Sequence, residues 1–322
     1  MKKKVLIIGG NGYLGQHLLQ SLSESQKSVE DELLISFTYH SVPPPQLLLQ
    51  SFPKAIPFQV DLQTGQGFDS ISHTFGQPDV VVNCAALSVP RACEAEPTVA
   101  MSINVPSSLI KWLSSFGESN TLLIHLSTDQ VYEGTKSFYK EDDKTHPVNV
   151  YGNSKVAAEE YIFANWSNFA ILRSSIIFGP QTISPVSKSL PIQWMDSVLA
   201  NGQETTFFHD EFRCPIFVKD VVNIIQVLAD RWFSDGEKIQ LVLNVGGPDR
   251  LSRVQMAEVV ARVRGYNTSL IKPVSASSID RGVKSPADIS MDITKLVNNT
   301  LFLLEIKDLR TNVIPRSRDE IH

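Results

Sequence analysis

Apolar and polar positions change rhythm repeatedly along the first half of the chain. Val5–Gly10 is a short run rich in β-branched residues that stops at glycines. Tyr13–Gln26 follows with Leu14, Leu18, Leu19 and Leu22 at helical spacing, one face of an amphipathic helix. Glu32–Tyr39 reads as a second strand, cut off by the bend Pro43-Pro44-Pro45, and Ala55–Leu62 as a third. Asp79–Ala86 is almost wholly apolar, the mark of a strand covered on both faces. Pro97–Phe116 reads as one long helix, Thr121–Ser127 as a fifth strand, the stretch from Tyr151 to Phe163 as a helix, and Phe169–Phe178 as a sixth strand. Strands that alternate with helices predict an α/β fold of Rossmann type, built on a doubly wound parallel sheet.

Two regions depart from that rhythm. Glu133–Pro147 is polar and reads as an excursion loop. After Gly179-Pro180 the elements shorten and turn residues increase, which predicts a smaller C-terminal lobe. Within it, Ile216–Trp232 and Leu241–Val245 are apolar enough to rejoin the main sheet. No internal repeat or low-complexity tract is visible.

The turn after the first strand carries the first candidate chemistry. Val5-Leu6-Ile7-Ile8-Gly9-Gly10-Asn11-Gly12-Tyr13-Leu14-Gly15 satisfies both G-x-x-G-x-x-G and G-x-G-x-x-G. A strand-to-helix turn leaves the first N–H groups of the helix unpaired and aims its dipole at an anion, and glycines let a pyrophosphate approach. Gly9, Gly12 and Gly15 are candidate phosphate-cradling residues, with Tyr13 and Leu14 at the opening of the helix. The bare pattern is common, but here it follows a β-run and opens an amphipathic helix, the context a dinucleotide site requires. The alternative is a glycine-rich turn that binds nothing.

The remaining cofactor contacts are read from strand ends. A carboxylate about 20 residues after the glycines would take the 2′-hydroxyl of NAD. The second strand instead ends Phe37-Thr38-Tyr39-His40-Ser41, with no acid, so a 2′-phosphate meets no repulsion and His40 is placed to hold it. This favours NADP(H) over NAD(H), which stays possible; a solvated loop histidine is the alternative for His40. Asp61, next to Leu62 at the end of the third strand, reads as an acceptor for an adenine amino group or as a helix cap. Cys84, Ala85 and Ala86 are small enough for a ribose and nicotinamide to lie against the backbone, although a buried strand would also favour alanine.

Ser127-Thr128-Asp129 and Tyr151-Gly152-Asn153-Ser154-Lys155 carry the candidate catalysis. Tyr-x-x-x-Lys puts both side chains on one face of a helix, one turn apart. A phenol titrates near 10 and has to work near 7. A cation at ~4 Å, with an effective dielectric of ~20, contributes ~4 kcal/mol, or about three pKa units, the shift that is needed. Thr128, Tyr151 and Lys155 are therefore the candidate catalytic set, with Tyr151 and Lys155 also beside the nicotinamide ribose. A second copy, Tyr132 with Lys136, stands beside Gly134 in a polar turn, where no helix would hold the pair together. An ordinary surface pair at a helix start is the alternative for Tyr151 and Lys155. On this reading residues 1–175 form a dinucleotide-binding domain that 213–246 rejoin, and 176–322 are mainly a substrate lobe.

Bulk composition narrows the field further. In 322 residues, 42% are hydrophobic and 20% charged, ordinary for a soluble globular protein. A formal net charge of -5 argues against a nucleic-acid partner. Cys84, Cys93 and Cys214 are scattered with no C-x-x-C pair, which suits a reducing compartment and argues against a disulfide framework or a metal site. The basic start Met1-Lys2-Lys3-Lys4 precedes an apolar run too short for a signal peptide, and no stretch is long enough to cross a membrane, so the expected location is the cytoplasm.

In this order, these residues resemble the extended short-chain dehydrogenase/reductase family. Ser127-Thr128-Asp129-Gln130-Val131-Tyr132-Glu133-Gly134, Tyr151-Gly152-Asn153-Ser154-Lys155 and Arg213-Cys214-Pro215-Ile216-Phe217-Val218-Lys219-Asp220-Val221 resemble segments of the dTDP-4-dehydrorhamnose reductases. They are also similar to the regulatory β subunit of methionine adenosyltransferase. The resemblance thins after about Leu296, and Arg310–His322 shows no reductase feature. It implies an NAD(P)H-dependent reductase of a nucleotide-linked keto-sugar, with Thr128, Tyr151 and Lys155 catalytic and Gly9, Gly12 and Gly15 on the pyrophosphate. Arg213 would stand near the nucleotide-sugar, and a guanidinium suits phosphate; a salt bridge between lobes is the alternative. The rival implication is a non-catalytic, NADP-binding regulator docked on a methionine adenosyltransferase catalytic subunit, with a homodimer as the other assembly. A nucleotide-sugar epimerase or dehydratase is weaker, because dehydratases of this type tend to follow the threonine with an acid pair and here Gln130 follows Asp129. Gln130 also stands where the reductases often carry an aromatic.

Overall fold

A computed structural model describes residues 2–25, 33–117, 120–186 and 190–298. Gln26, Glu32 and the tail Arg310–His322, each included in a reading above, lie outside these residues. The first half alternates as the sequence rhythm predicts: β1 (Lys3–Ile8), α1 (Tyr13–Ser25), β2 (Leu33–Tyr39), α2 (Gln46–Ser51), β3 (Ile56–Gln59), α3 (Phe68–Thr74) and β4 (Val80–Asn83). There follow α4 (Pro90–Ala95), α5 (Pro97–Asn104), α6 (Ser107–Ser114), β5 (Leu122–Thr128), α7 (Val150–Asn165) and β6 (Phe169–Ser174).

Gln240–Val245 forms the edge strand next to β6, and the seven strands lie in the order Gln240–Val245, β6, β5, β4, β1, β2, β3, all parallel. This is the doubly wound Rossmann arrangement that the alternation predicts. Successive strand residues point to opposite faces. Val5 and Ile7 therefore join the core shared with α1 leucines 14, 18, 19 and 22, while Leu6 and Ile8 join the core shared with α3, α6 and α7.

Three elements differ from the sequence reading. The long helix expected over Pro97–Phe116 is two helices, because Val105 takes an extended conformation before Pro106. The ring of a proline drives the preceding residue out of the helical region. The sixth strand stops at Ser174, and Ile177–Phe178 (β7) instead pairs with Ile216–Phe217 outside the main sheet. The apolar stretch Ile216–Trp232 is mostly helix, Val218–Asp235, and covers the sheet without joining it as a strand. Its buried residues Val218, Val221, Val222, Ile225, Leu228 and Ala229 recur every three or four positions, the spacing of a helix face.

The second half also contributes a lobe with its own core. Pro191–Ala200 (α8), Thr205–Phe208 (β8), Phe212–Arg213 (β9), Ile216–Phe217 (β10) and Val218–Asp235 (α9) precede the edge strand, now β11. Leu251–Ser252 (β12), Arg253–Arg264 (α10) and Ile271–Val274 (β13) complete it. Met195 and Leu199 of α8 pack with Met256, Val260 and Ala261 of α10 around Phe178 and Phe207. A capping box starts α10: the Ser252 hydroxyl accepts from the Gln255 N–H, and the Gln255 side chain accepts from the Ser252 N–H.

The excursion at 133–147 carries no helix or strand, and buried side chains fasten it. Tyr132 and Tyr139 stack with ring centroids 4.5 Å apart. The Tyr132 hydroxyl donates to Asn244 Oδ1 at 2.7 Å, and the Arg173 guanidinium donates to Tyr132, to the Glu141 carbonyl and to Glu159. Among the described residues no helix is long and apolar enough to cross a membrane.

Arg173 and Glu159 form a buried ion pair at 2.7 Å, only 6% and 3% exposed. Removing one partner strands the other charge in a dry interior, at a cost of about 3–5 kcal/mol. Arg173→Met is expected to lower the unfolding free energy in urea by that amount, and a loss under about 1 kcal/mol would show that the pair does not brace β6 against α7.

Candidate functional site

Two adjoining cavities open along the carboxyl ends of the strands. The first, of about 670 Å³, runs over the glycine turn between the ends of β1, β2 and β3 and the segment Ser184–Val186. Gly9 has φ +83 and a Cβ there would crowd Ala85 at 3.1 Å, so both the conformation and the close packing favour glycine. A Cβ on Gly15 would collide with the Gly9 carbonyl oxygen. Gly10, the first glycine of the G-x-G-x-x-G pattern, is demanded by Phe37, against which a Cβ would clash. Thr38 holds the turn: its hydroxyl accepts from the Gly9 N–H at 3.0 Å, and its carbonyl from the Gly10 N–H at 2.9 Å. The opening N–H groups of α1 have no partner within the helix, the feature by which a helix start can accept an anion.

Gly9, Gly12, Tyr13, Leu14, His40, Asp61, Leu62, Cys84, Ala85 and Ala86 all line this cavity. Gly15 does not; it serves the packing of α1 on the turn. Tyr13 also reaches away from the glycines, its hydroxyl donating to the Pro180 carbonyl at 3.0 Å. His40 is 66% exposed and 3.9 Å from the Asp61 carboxylate. Asp61 caps a turn by accepting from the Gln63 N–H and the Thr64 hydroxyl, which hold its carboxyl below the usual range. The helix that follows is instead capped at Gly67, so the helix-cap alternative for Asp61 is corrected to a turn cap.

The second cavity, of about 730 Å³, continues from the first past Leu14, Cys84 and Ala86. Thr128, Tyr151 and Lys155 stand in its wall, from the end of β5 and the first turns of α7. Asn149 caps α7, accepting from the Gly152 N–H at 2.8 Å, and its amide donates to Gln130 Oε1 and to the Lys284 carbonyl. Tyr151 is buried, and burial pushes its phenol well above its ordinary value while the hydrogen bond with Thr128 pulls back. Lys155 is 2% exposed and burial lowers it to about 8, opposed by the nearby Glu159 carboxylate. Its ammonium donates to the Leu126 carbonyl at 2.6 Å. The expected lowering of Tyr151 by Lys155 is thus not the state of the site as it stands: the phenol is raised, and the lysine is held on the strand.

The rival pair parts as its turn context predicts. Tyr132 is fully buried in the Arg173 network, whereas Lys136 pairs with Asp143 at 2.6 Å on the surface.

Arg213 lines the second cavity but is held by main chain, donating to the carbonyls of Phe212, Ala287 and Pro286 and to the Ser285 hydroxyl. No carboxylate is among these partners, which corrects the salt-bridge alternative. Arg253 and Arg281 also line this cavity, with Lys284, and the sequence reading missed all three. Glu211 lies 2.5 Å from Arg281 and 3.7 Å from Arg253. Burial and the neighbouring Arg213 lower Arg253 to about 10. The cations outnumber the acids that face them, so the cavity attracts anions. Their separation in sequence leaves no spacing to read. Among the described residues, no group of three or more His, Cys, Asp or Glu could hold a metal ion, and none of the three cysteines is in a disulfide.

Comparison with known proteins locates the chain. The family model for the RmlD substrate binding domain matches residues 2–314. Methionine adenosyltransferase 2 subunit beta of Mus musculus is 27% identical over 97% of this chain and 86% of its own length. A probable low-salt glycan biosynthesis reductase of Haloferax volcanii is 26% identical over 90% of both chains. Among solved structures, a hypothetical dTDP-4-dehydrorhamnose reductase from Sulfolobus tokodaii is 26% identical over 96% of both chains, with a TM-score of 0.72. The dTDP-4-dehydrorhamnose reductase of Bacillus anthracis, solved with NADP, has a TM-score of 0.74 over 97% of this chain and 98% of its own, at 19% identity.

The displaced lysine has a consequence for stability. Lys155 titrates near 8 in the folded chain and near 10.5 unfolded, so between those values the unfolded chain binds more protons and stability rises with pH. Raised Tyr151 acts with the opposite sign above pH 10, where the folded chain holds the extra proton. The gap in unfolding free energy between the wild type and Lys155→Met is expected to shift in favour of the wild type by on the order of 2 kcal/mol from pH 8 to pH 10. Urea unfolding at a series of pH values measures it, and a flat difference would mean that Lys155 keeps its ordinary pKa.

Proposed function

The chain belongs to the RmlD substrate binding domain family, and from that premise we propose that it is an NADP(H)-dependent reductase acting on the keto carbon of a nucleotide-linked sugar. The observation that carries this reading is the position of Thr128, Tyr151 and Lys155. They stand in the wall of a cavity that holds cations at Arg213, Arg253, Arg281 and Lys284 and that opens into the glycine-turn cavity. One cavity suits a dinucleotide, the other a sugar bearing a diphosphate, and the phenol lies in the wall of the second.

The residues of the first cavity fit the cofactor: a turn with glycine at 9, 10 and 12, a helix opening whose N–H groups have no partner within the helix, and no acid at the end of β2. Gly9, Gly12, Tyr13, Leu14 and Gly15 would hold or shape the pyrophosphate site, His40 the 2′-phosphate, Asp61 and Leu62 the adenine, and Cys84, Ala85 and Ala86 the nicotinamide ribose. Bound there, NADP(H) supplies the hydride. Tyr151 stays protonated at neutral pH because burial raises it, which suits a group that gives its proton to the substrate oxygen. Thr128 donates a second hydrogen bond to that oxygen and fixes its place. Lys155 orients the ribose and favours the tyrosinate left after proton transfer. Arg213, with Arg253 and Arg281, would take the diphosphate. Residues 1–175, with the later edge strand, would act as the cofactor domain and the lobe as the substrate domain. A reducing, cytoplasmic location suits three cysteines that form no disulfide.

A second reading draws on the similarity to relatives named for a methionine adenosyltransferase subunit. On it, the chain binds NADP(H) and docks on an adenosyltransferase catalytic subunit without turning over a sugar. The presence of Gln130 where the reductases often carry an aromatic favours this reading, because it alters the wall that would face the sugar. The epimerase or dehydratase reading loses support at the same place, since Gln130 cannot act as the second acid.

Turnover separates the readings. Tyr151→Phe is expected to lower NADPH oxidation with a dTDP-linked 4-keto-6-deoxy sugar by about 10²–10⁴-fold while leaving NADPH binding unchanged. A wild-type protein that binds NADPH, oxidises none and co-purifies with an adenosyltransferase would instead support the regulator. For the cofactor, His40→Ala is expected to weaken NADPH by about tenfold with little effect on NADH in fluorescence titrations, since one charge-assisted contact contributes about 1.5 kcal/mol. Equal weakening of both would remove His40 from the 2′-phosphate site.

A further inference from the structure

One buried titratable group has no part in the proposed chemistry. His125, in the middle of β5, is fully buried and lies between Lys155 and Asn83. Asn83 of β4 is its register partner in the parallel ladder, so both side chains leave the same face of the sheet. Asn83 Nδ2 is 3.2 Å from His125 Nδ1, and Lys155 Nζ is 3.5 Å from His125 Nε2. Asn83 Oδ1 is buried without a hydrogen-bond partner among the described residues.

The chemistry of the three groups fixes their order. An ammonium only donates, so Nε2 of the imidazole accepts from Lys155. A neutral imidazole then carries its proton on Nδ1, where it needs an acceptor. The amide oxygen and nitrogen of asparagine exchange places on a half-turn of the side chain. That half-turn puts the orphaned Oδ1 opposite Nδ1 and completes a chain in which Lys155 donates to His125 and His125 to Asn83. Burial and the Lys155 charge hold His125 far below its ordinary value, consistent with a neutral ring. The chain ends on an amide that cannot take a proton, so it holds the lysine and does not drain it.

We propose that His125, its tautomer set by Asn83, is a positioning residue that docks the Lys155 ammonium on the end of β5 and keeps it protonated. The inference rests on the reductase reading for its catalytic meaning, but not for its physical content. The other groups acting on the lysine charge are Glu159 from α7, Cys84 from the end of β4 and Cys93 from α4. Only the imidazole offers Lys155 a neutral side-chain acceptor among these contacts. In the reaction, the same docking would return Lys155 to one place between turnovers and hold it charged while Tyr151 gives up its proton.

Full-length protein labelled with ¹³C at lysine Cε reads the docking directly. The Lys155 resonance, assigned by its loss in Lys155→Met, is followed by NMR across pH in the wild type, His125→Leu and His125→Gln. Loss of the acceptor in His125→Leu is expected to lower the Lys155 midpoint by about one pH unit. His125→Gln, whose amide oxygen accepts, is expected to restore most of it. Should His125→Leu fail to fold, Asn83→Ala leaves the ring in place but frees its tautomer, and a downward shift of the same sign is expected. An unmoved midpoint in the folded variants overturns the proposal. NADPH oxidation is the separate arm: the alkaline limb of kcat/KM is expected to move down with the NMR midpoint. A wild type without turnover defeats the reductase reading alone, because the NMR shift still decides the docking.

Discussion

Parallel pairing of seven strands is the constraint on which the site depends. Strands that run one way bring all their carboxyl ends to one edge of the sheet, and the candidates read from strand ends lie along that edge. The glycine turn follows β1, His40 follows β2, Asp61 lies just beyond β3, the Asn83–Ala86 segment ends β4, and Thr128 closes β5. A parallel sheet also needs helices on both faces, and the helix that covers β5 is the one that carries Tyr151 and Lys155. The same rule that buries the sheet therefore brings hydroxyl, phenol and ammonium together.

Burial does opposite things to the two halves of that group. It raises the phenol, which keeps its proton for a substrate, and lowers the ammonium, which a carbonyl, an imidazole and the Glu159 carboxylate sustain. Glu159 in turn is held by Arg173 and Ser127, and Arg173 fastens the 133–147 excursion through Tyr132 and Glu141. One network thus joins the 133–147 excursion to the charge of the lysine. The guanidiniums across the cavity are balanced differently: Asp129, Glu211 and Asp288 act on Arg213, but Asp288 is also paired with Arg250, so with Lys284 the cations stay in excess and attract an anionic ligand.

Membership of the RmlD substrate binding domain family and similarity to a methionine adenosyltransferase subunit are compatible, because each likeness spans almost the whole chain. The two readings divide at the second cavity, whose wall includes Gln130, tied to the cap of α7 through Asn149. Gln130 shares that wall with Thr128, Tyr151 and Lys155 but comes from a different turn than the phenol and the ammonium, so a change there alters the cavity without moving those two side chains along α7.

The sequence alone determined what depends on short-range repetition. Alternation gave the sheet order its parts, leucines three and four apart gave α1, the glycines marked their own turn, and Tyr151 and Lys155 announced themselves by the spacing of one helical turn. The structure decided what depends on distance through space. Pro106 divided a helix that its apolar content made continuous, Ile216–Trp232 became a covering helix, and Tyr132 went to a buried network. Arg213, Arg253 and Arg281 share a cavity with no common spacing, and His125 meets Asn83 only because two strands pair in register. Periodicity reports which face of an element is dry; which other face it meets is set by packing the whole chain, and no local pattern holds that information.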